Sequence, residues 1–298
     1  MRVLIVASYN KGFFAPFIVD QVESLQKIGV EVDYFGIVGK GFKGYLSSFS
    51  LLKAKISAFN PDIIHAHYGL SGLLANLQRK VPVITTYHGS DVNDKNVRLF
   101  SKLAMLLSKH NIFVSQKNVD IMRPKRNFSL LPCGVNMENF SFMTKAEART
   151  QLHWNQESKI VIFAGAFDNQ VKNATLAKRT IELLENVELK ELKGYSRSQV
   201  AAVFYAADCL LMTSFSEGSP QVVKEALVCG CPVVSVDVGD VKERVQLVNG
   251  CFVSTNYDEV ELARGIKQSF EVGRVKCELD ACFDNKNIAL ELMRIYKS

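Results

Sequence analysis

The sequence predicts two tandem α/β domains, each built on a doubly wound parallel sheet. Short apolar runs of four to six Leu, Ile and Val residues alternate with longer amphipathic stretches along most of the chain. That rhythm breaks once, at Pro132-Cys133-Gly134-Val135-Asn136 and the polar stretch to about Ser158, and then restarts. The length of 298 residues is long for one domain and comfortable for two. Strands alternating with helices imply parallel strands joined by helical crossovers, hence a doubly wound sheet in each half.

Taken in order, residues 2–8 read as a buried strand and 14–29 as a helix that Gly29 stops. A strand at 30–35 follows. Residues 43–59 have helical spacing throughout, with Leu46, Phe49, Leu52, Ile56 and Phe59 on one face. Then come a strand at 62–66, a helix at 70–78, a strand at 82–87, a helix at 96–108, and strands at 112–115 and 128–132. In the second half the strands fall at 159–164, 187–192, 209–213, 232–236 and 251–254. Helices fall at 174–185, 198–207, 219–229, 241–247, 258–270 and 287–296. The expected domains are therefore 1–150 and 151–285, with a C-terminal helix at 286–298 packing back on the first domain. Two such sheets turn their carboxyl-end crevices toward an interdomain cleft, where folds of this kind bind ligands.

Composition narrows the function classes. Hydrophobic residues at 48% and charged residues at 22% suit a soluble globular protein. No apolar run approaches the roughly 20 residues needed to span a bilayer. The N-terminal apolar run is too short for a signal peptide and leads into a helix pattern rather than a cleavage site. Seven cysteines, at 133, 209, 229, 231, 251, 277 and 282, form no C-x-x-C pair and fit small buried thiols of a reducing compartment. The expected location is cytoplasmic, with peripheral contact at the inner face of the membrane as a further expectation. The net charge of +6 divides unevenly, since residues 1–150 carry 19 Lys+Arg against 10 Asp+Glu (+9), and the rest 17 against 20 (−3). A basic first half points to an anionic partner or simply to a solvated basic surface. Residues 96–108, with Lys95, Arg98, Lys102 and Lys109 on one side and Leu99, Leu103, Leu106 and Leu107 on others, fit either a membrane-surface helix or one packed on the sheet. Basic residues are not interleaved with aromatics in any nucleic-acid module, so no nucleic-acid partner is expected.

The densest constellation is Glu217-Gly218-Ser219-Pro220-Gln221-Val222-Val223-Lys224-Glu225, which follows a strand and opens a helix. Gly218 lets backbone approach a ligand, Ser219 can cap, and Pro220 suits the first turn. Helix N-terminal N–H groups and the dipole favour a phosphate. Glu217 and Glu225 lie two helical turns apart along one edge and can accept hydrogen bonds from sugar or ribose hydroxyls; a capped helix with two surface glutamates reads equally from the pattern. His65 and His67 alternate on a strand, without a third ligand at metal-site spacing. Asp91, Asp94, Asp237 and Asp240 are loop carboxylates that do not form a D-x-D metal motif. No G-x-G-x-x-G follows the first strand, and neither a nucleophile elbow nor a P-loop is present.

Phe215–Glu225 followed by Ala226-Leu227-Val228-Cys229-Gly230-Cys231-Pro232-Val233-Val234 resembles the E-x7-E signature of glycosyltransferase family 4, the group 1 glycosyltransferases of the GT-B fold. Other segments fall in that family's order. These are Gly12-Phe13-Phe14 with Phe17-Ile18, Pro61–His67, Tyr87-His88-Gly89-Ser90-Asp91, Pro132–Asn136 with Phe140, and the phosphate loop Gly165–Asn173. The wording is nearest to bacterial surface-polysaccharide enzymes. The resemblance implies two Rossmann-like domains facing a cleft, the first binding acceptor and the second nucleotide-sugar. It implies retaining transfer from a UDP- or GDP-type donor to a glycan or lipid-linked acceptor, with no metal or other cofactor. Carried over residue by residue, Glu217 contacts the donor sugar, Glu225 the ribose, and N–H groups around Ser219, Pro220, Gln221 and Val222 the diphosphate. Lys172 neutralises the leaving phosphate, His88 reaches the donor sugar, Gly12 lets the first loop approach, and Lys193 and Tyr195 seat the base. Two departures stand out: Ala166 occupies the place of an arginine, and only 28 residues separate Gly165 from Gly194, so the second sheet should be trimmed. A non-catalytic nucleotide-sugar or glycan-binding protein, or a nucleotide-sugar epimerase, would share these motifs.

Overall fold

The computed structural model describes residues 1–276 and 283–298. Two compact units emerge, one from Met1–Gly134 joined by the C-terminal helix, the other beginning at Val135. The change of unit thus falls at Gly134, where the sequence places it near residue 150.

The first unit runs β1 (Arg2–Ser8), α1 (Pro16–Lys27), β2 (Glu31–Ile37), α2 (Gly41–Leu46), α3 (Phe49–Phe59), β3 (Ile63–His67), α4 (Gly69–Asn76), β4 (Val83–Tyr87), α5 (Ser90–Asn93), α6 (Lys95–Leu107), β5 (His110–Phe113), α7 (Gln116–Met122) and β6 (Phe128–Leu130). Its sheet is parallel, in the order β2-β1-β3-β4-β5-β6. β1 explains why its sequence is apolar at every position rather than alternating. Val3 and Ile5 feed a core on one face with α1, while Leu4 and Val6 feed a second core on the other with α3 and α4.

The second unit contains α8 (Lys145–Gln151), β7 (Lys159–Phe163), α9 (Ala174–Glu182), β8 (Val187–Glu191), α10 (Arg197–Ala206), β9 (Cys209–Met212), α11 (Gln221–Val228), β10 (Val233–Val236), α12 (Val241–Val245), β11 (Phe252–Ser254) and α13 (Glu259–Val272). Its five parallel strands lie in the order β11-β10-β9-β7-β8, the trimmed sheet expected from the short spacing. The last helix, α14 (Asn285–Lys297), belongs to the first unit, where Ile288, Ala289, Leu292 and Tyr296 join the α1 face of the core.

Three differences from the sequence reading have local causes. The helix expected over 43–59 is broken in two at Ser47 and Ser48, where the Ser47 hydroxyl bonds Gly44 O at 2.7 Å and competes with the helical ladder. The polar stretch after Asn136 carries α8, nucleated by a capping box in which Thr144 N–H donates to Glu147 Oε2 at 2.8 Å. The helix expected from 219 begins two residues later, at Gln221.

Cys133, Cys209, Cys229 and Cys231 are buried free thiols, as expected, while Cys277 and Cys282 lie outside the described residues. Burial pushes the Cys231 thiol up to about 12, so it stays protonated and unreactive at neutral pH. Among the described residues no helix is long and apolar enough to cross a membrane.

Candidate active site

In an open parallel sheet, ligands lodge beyond the carboxyl ends of the strands, where the winding reverses. The second unit reverses between β7 and β9, and the loops that follow those two strands carry the strongest candidates. The loop after β7 ends in a short 3-10 turn, Gln170–Lys172, capped by the Asn169 side chain accepting from Val171 N. The loop after β9 is stitched to it: Phe215 N–H donates to Val171 O at 2.9 Å, and Thr213 Oγ1 lies 2.9 Å from both Lys172 O and Asn173 O. Across this seam Lys172 Nζ donates to Glu217 Oε1 at 2.6 Å, with both side chains part-exposed. Gly165 is required for that arrangement, because a Cβ there would stand 2.8 Å from Lys172 Cγ.

Glu217 leads through Gly218 into α11. A third loop, after β10, closes on this segment: Asp240 N–H donates to Gly218 O at 3.1 Å. Gly239, at φ 56°, could not carry a side chain, since its Cβ would meet Gly218 O at 2.5 Å. Ser219 does not cap α11. Its hydroxyl donates to Asp240 Oδ2 at 2.8 Å and accepts from Lys224 Nζ at 2.7 Å, while Arg244 Nε donates to the same Asp240 oxygen at 3.0 Å. Pro220 takes the N-cap position without a side-chain cap, and Gln221 Oε1 lies 3.3 Å from Lys224 Nζ. Lys224 is fully buried and Asp240 1% exposed, so this network fixes the α11 entry from inside the protein.

Val222 sits on the first turn of α11, and Glu225 one turn further, part-exposed. Burial pushes the Glu225 carboxyl up to about 7, with Arg197 and Lys224 pulling the other way. Lys193 and Tyr195 follow β8, the strand beside β7. Lys193 pairs with Asp168 at 2.7 Å, and the Tyr195 ring meets Trp154 edge-on at 6.3 Å. Ala166 places no cation in the loop; Lys172 is the cation that the structure sets against Glu217.

The first unit reverses between β1 and β3. A cavity of about 530 Å³ lies there, walled by Ser8, Asn10, Lys11, Phe13, Tyr45, Tyr68, Asp91 and Val97 among others. Gly12 shapes the loop on its rim at φ 76°, a left-handed turn that any side chain would strain. His88 ends β4. Its Nε2 lies 3.0 Å from His67 Nδ1, and Cys133 Sγ stands 3.7 Å from its Nδ1, so both ring nitrogens face partners within this unit. Asp91 orders the turn around it, accepting N–H bonds from His88 at 2.9 Å, Gly89 at 3.1 Å and Gly69 at 2.9 Å. Burial nevertheless pushes the Asp91 carboxyl up to about 6. His65, bonded to Tyr296 Oη and Thr86 Oγ1 at 2.7 Å each, is held down to about 3 by burial, and His67 is also well below its ordinary value. Both are neutral interior histidines. Among the described residues no group of three or more His, Cys, Asp or Glu side chains is placed to hold a metal ion.

The structure therefore brings Lys172, Glu217, Gly218 and Ser219 into one cluster, with Glu225 along the same helix; Gly12 and His88 belong to the first unit. Lys224, Asp240, Arg244 and Arg197 complete the second-unit cluster; the sequence reading gave none of them a site role, taking Asp240 only as a loop carboxylate. Lys224 did carry a signal, being three residues from Gln221 on the same helix edge.

Comparison with known proteins bears on the family and the fold. Residues 5–139 match the model of glycosyltransferase family 4, and residues 134–271 that of the glycosyl transferases group 1. TuaC of Bacillus subtilis (strain 168), named as a teichuronic acid biosynthesis glycosyltransferase, is 27% identical over 212 residues, which is 61% of this chain and 54% of TuaC. This chain thus spans about half the length of that relative. Sucrose-phosphate synthase from Thermosynechococcus elongatus superposes with a TM-score of 0.84 at 17% identity, covering 100% of this chain and 98% of the other. Anabaena HepE, solved in complex with UDP-glucose, gives a TM-score of 0.75 at 14% identity over 100% of this chain and 99% of HepE. At such identities these two likenesses speak to fold alone. With the two family matches running consecutively from residue 5 to residue 271, the chain belongs to the group 1 glycosyltransferases and has their GT-B fold.

Proposed function

We propose that the chain is a retaining, metal-independent glycosyltransferase that moves a sugar from a nucleotide-sugar held by the second unit. The observation that carries this reading is the Lys172–Glu217 pair at the sheet's reversal point, 2.6 Å apart and beside a helix N-terminus. In the step itself the bond from sugar C1 to the diphosphate oxygen breaks and C1 bonds the acceptor hydroxyl oxygen. The hydroxyl proton departs to the leaving phosphate, which gathers negative charge. Lys172 supplies the opposing charge there, so that Lys172 acts on the transition state more than on the bound donor. Glu217 accepts hydrogen bonds from the sugar hydroxyls and holds C1 so that the acceptor oxygen arrives on the face from which the phosphate departs, which retains the configuration. Backbone N–H groups of Ser219, Gln221 and Val222 hold the diphosphate, Pro220 between them having none to give.

Glu225 accepts from the ribose hydroxyls, and Lys193 and Tyr195 border the base. The first unit, with its cavity and Gly12 loop, takes the acceptor, a glycan or lipid-linked glycan of surface-polysaccharide assembly at the cytoplasmic side. For His88 to meet a sugar hydroxyl, it must give up its bond to His67 or its contact with Cys133. UDP-glucose is the first donor to try, since it occupies HepE, a protein of the same fold. Ala166 favours a second reading, a protein that binds donor without turning it over; release of nucleoside diphosphate separates the two.

The Glu225 assignment has a pH signature. With its unliganded carboxyl at about 7, the ionised, accepting form is lost as pH falls. Titration of UDP-glucose between pH 6 and 8 by calorimetry should show affinity rising with pH through about 7. Glu225→Gln should flatten that dependence. An equally steep pH profile in the variant would remove Glu225 from the ribose site.

A further inference from the structure

We propose that α2 and α6 of the first unit form a docking surface for an anionic lipid bilayer. An amphipathic helix ordinarily turns its large apolar residues to the sheet. Here the buried residues of α6 are Ser101 and Ala104, because α4 approaches too closely for anything larger: a Cβ on Gly69 would stand 2.0 Å from Ser101 Oγ. The leucines are turned outward instead. Leu99 is 63% exposed and Leu106 77%, with Leu103 and Leu107 also exposed between and beside them.

This apolar face continues onto α2. Phe42 and Phe100 stack with ring centroids 5.4 Å apart, and Val38, Phe42 and Leu46 are exposed alongside. The charges on the two helices are basic, with the exposed Asp94 capping the start of α6. Lys40, Lys43, Lys95 and Lys102 are exposed, and neither helix contains a carboxylate within its own bounds. Exposed leucines and phenylalanine flanked by lysines match the two parts of an anionic membrane surface, apolar acyl chains beneath negative headgroups. A second copy of the chain fits less well, since a two-fold contact through this patch would set these lysines against themselves. The position also suits access to the cavity, because Tyr45 of α2 and Val97 of α6 form part of its wall.

The test is flotation of the whole chain with vesicles, without nucleotide, so that its outcome is independent of any transfer chemistry. The protein should float with mixed phosphatidylglycerol–phosphatidylcholine vesicles and not with phosphatidylcholine alone, and binding should weaken with added salt. Leu103→Gln/Leu106→Gln and, separately, Lys95→Ser/Lys102→Ser should each lower partitioning by about tenfold or more. All four positions are exposed, and an unchanged melting temperature in each variant confirms that the fold is intact. Equal, negligible binding to both vesicle types would overturn the proposal. So would a wild-type dimer in sedimentation equilibrium that the leucine variant abolishes, because a second copy would then be what covers the face.

Discussion

Glu217→Gln is expected to lower turnover by about 10²- to 10³-fold, and Lys172→Ala by a similar factor, the usual loss when one preorganised charge partner of a transition state is removed. The chemical reason is specific to each. Glutamine keeps the size of Glu217 but gives up one accepting oxygen and the charge that holds Lys172 Nζ at 2.6 Å. Alanine at 172 leaves the departing diphosphate without the cation that the absent arginine at Ala166 cannot replace. Both changes should be nearly silent in folding. The pair keeps 21% and 16% side-chain exposure, and such partly solvated ion pairs contribute about 0–1 kcal/mol to stability. The assay is release of nucleoside diphosphate from the donor, read beside a thermal melt. Turnover like that of the wild type in both variants would refute the assignment of the site, and equal losses in turnover and stability would make the pair structural.

The second large effect is on stability and lies away from the site. Asp208, just before β9, accepts from Arg149 Nη2 at 2.9 Å, Lys145 Nζ at 2.5 Å and Ile160 N–H at 2.8 Å. Arg149 is 1% exposed, and its Nε also bonds the α10 carbonyl of Ala206 at 3.0 Å, so the cluster pins α8, α10 and the start of β7 together. Asp208→Ala leaves the buried guanidinium without its counter-charge, which typically costs about 3–5 kcal/mol. Urea unfolding at pH 7 should show a correspondingly earlier transition for the second unit. A loss below about 1 kcal/mol would mean that Arg149 is satisfied by carbonyls alone.

The Asp208 cluster also sets a pH limit. Burial works to raise the Asp208 carboxyl, but Lys145, the Ile160 N–H and Lys159 outweigh it and hold it below its ordinary value of 3.8. A carboxyl depressed in the folded state contributes stability that is fully present above pH 3.8 and fades as pH falls through the lower folded value. The wild type should therefore lose second-unit stability on acidification below that pH more steeply than Asp208→Ala.

Much of the fold was legible because a doubly buried strand and a helical crossover each leave a local mark. β1 is apolar at consecutive positions since both its faces are covered, and β7 repeats the pattern with Ile160 to Phe163 all buried. The Glu217–Glu225 segment was legible for a related reason: its residues act within one loop and one helix. The misses came where a distant residue decided. Ser219 reads as a cap, but Asp240 and Lys224 claim its hydroxyl. The leucine spacing of α6 reads equally as a membrane-surface helix or as one packed on the sheet, and Gly69 decides by bringing α4 so close that Ser101 and Ala104 take the inside. His88 reads as an available ring, but His67 and Cys133 approach both nitrogens. The α8 capping box, by contrast, is written locally, as Thr144 and Glu147 three residues apart.

The most direct test of the central claim is a thermal melt of the protein with UDP, GDP, UDP-glucose and other nucleotide-sugars, in EDTA and again with Mg²⁺. A donor at about 100 times its dissociation constant adds roughly 2.7 kcal/mol to stability, an easily read rise in melting temperature. Such a rise is expected with one nucleotide family, equal in EDTA and Mg²⁺. No rise with any nucleotide, or a rise that requires Mg²⁺, would contradict a metal-independent donor site at Lys172 and Glu217.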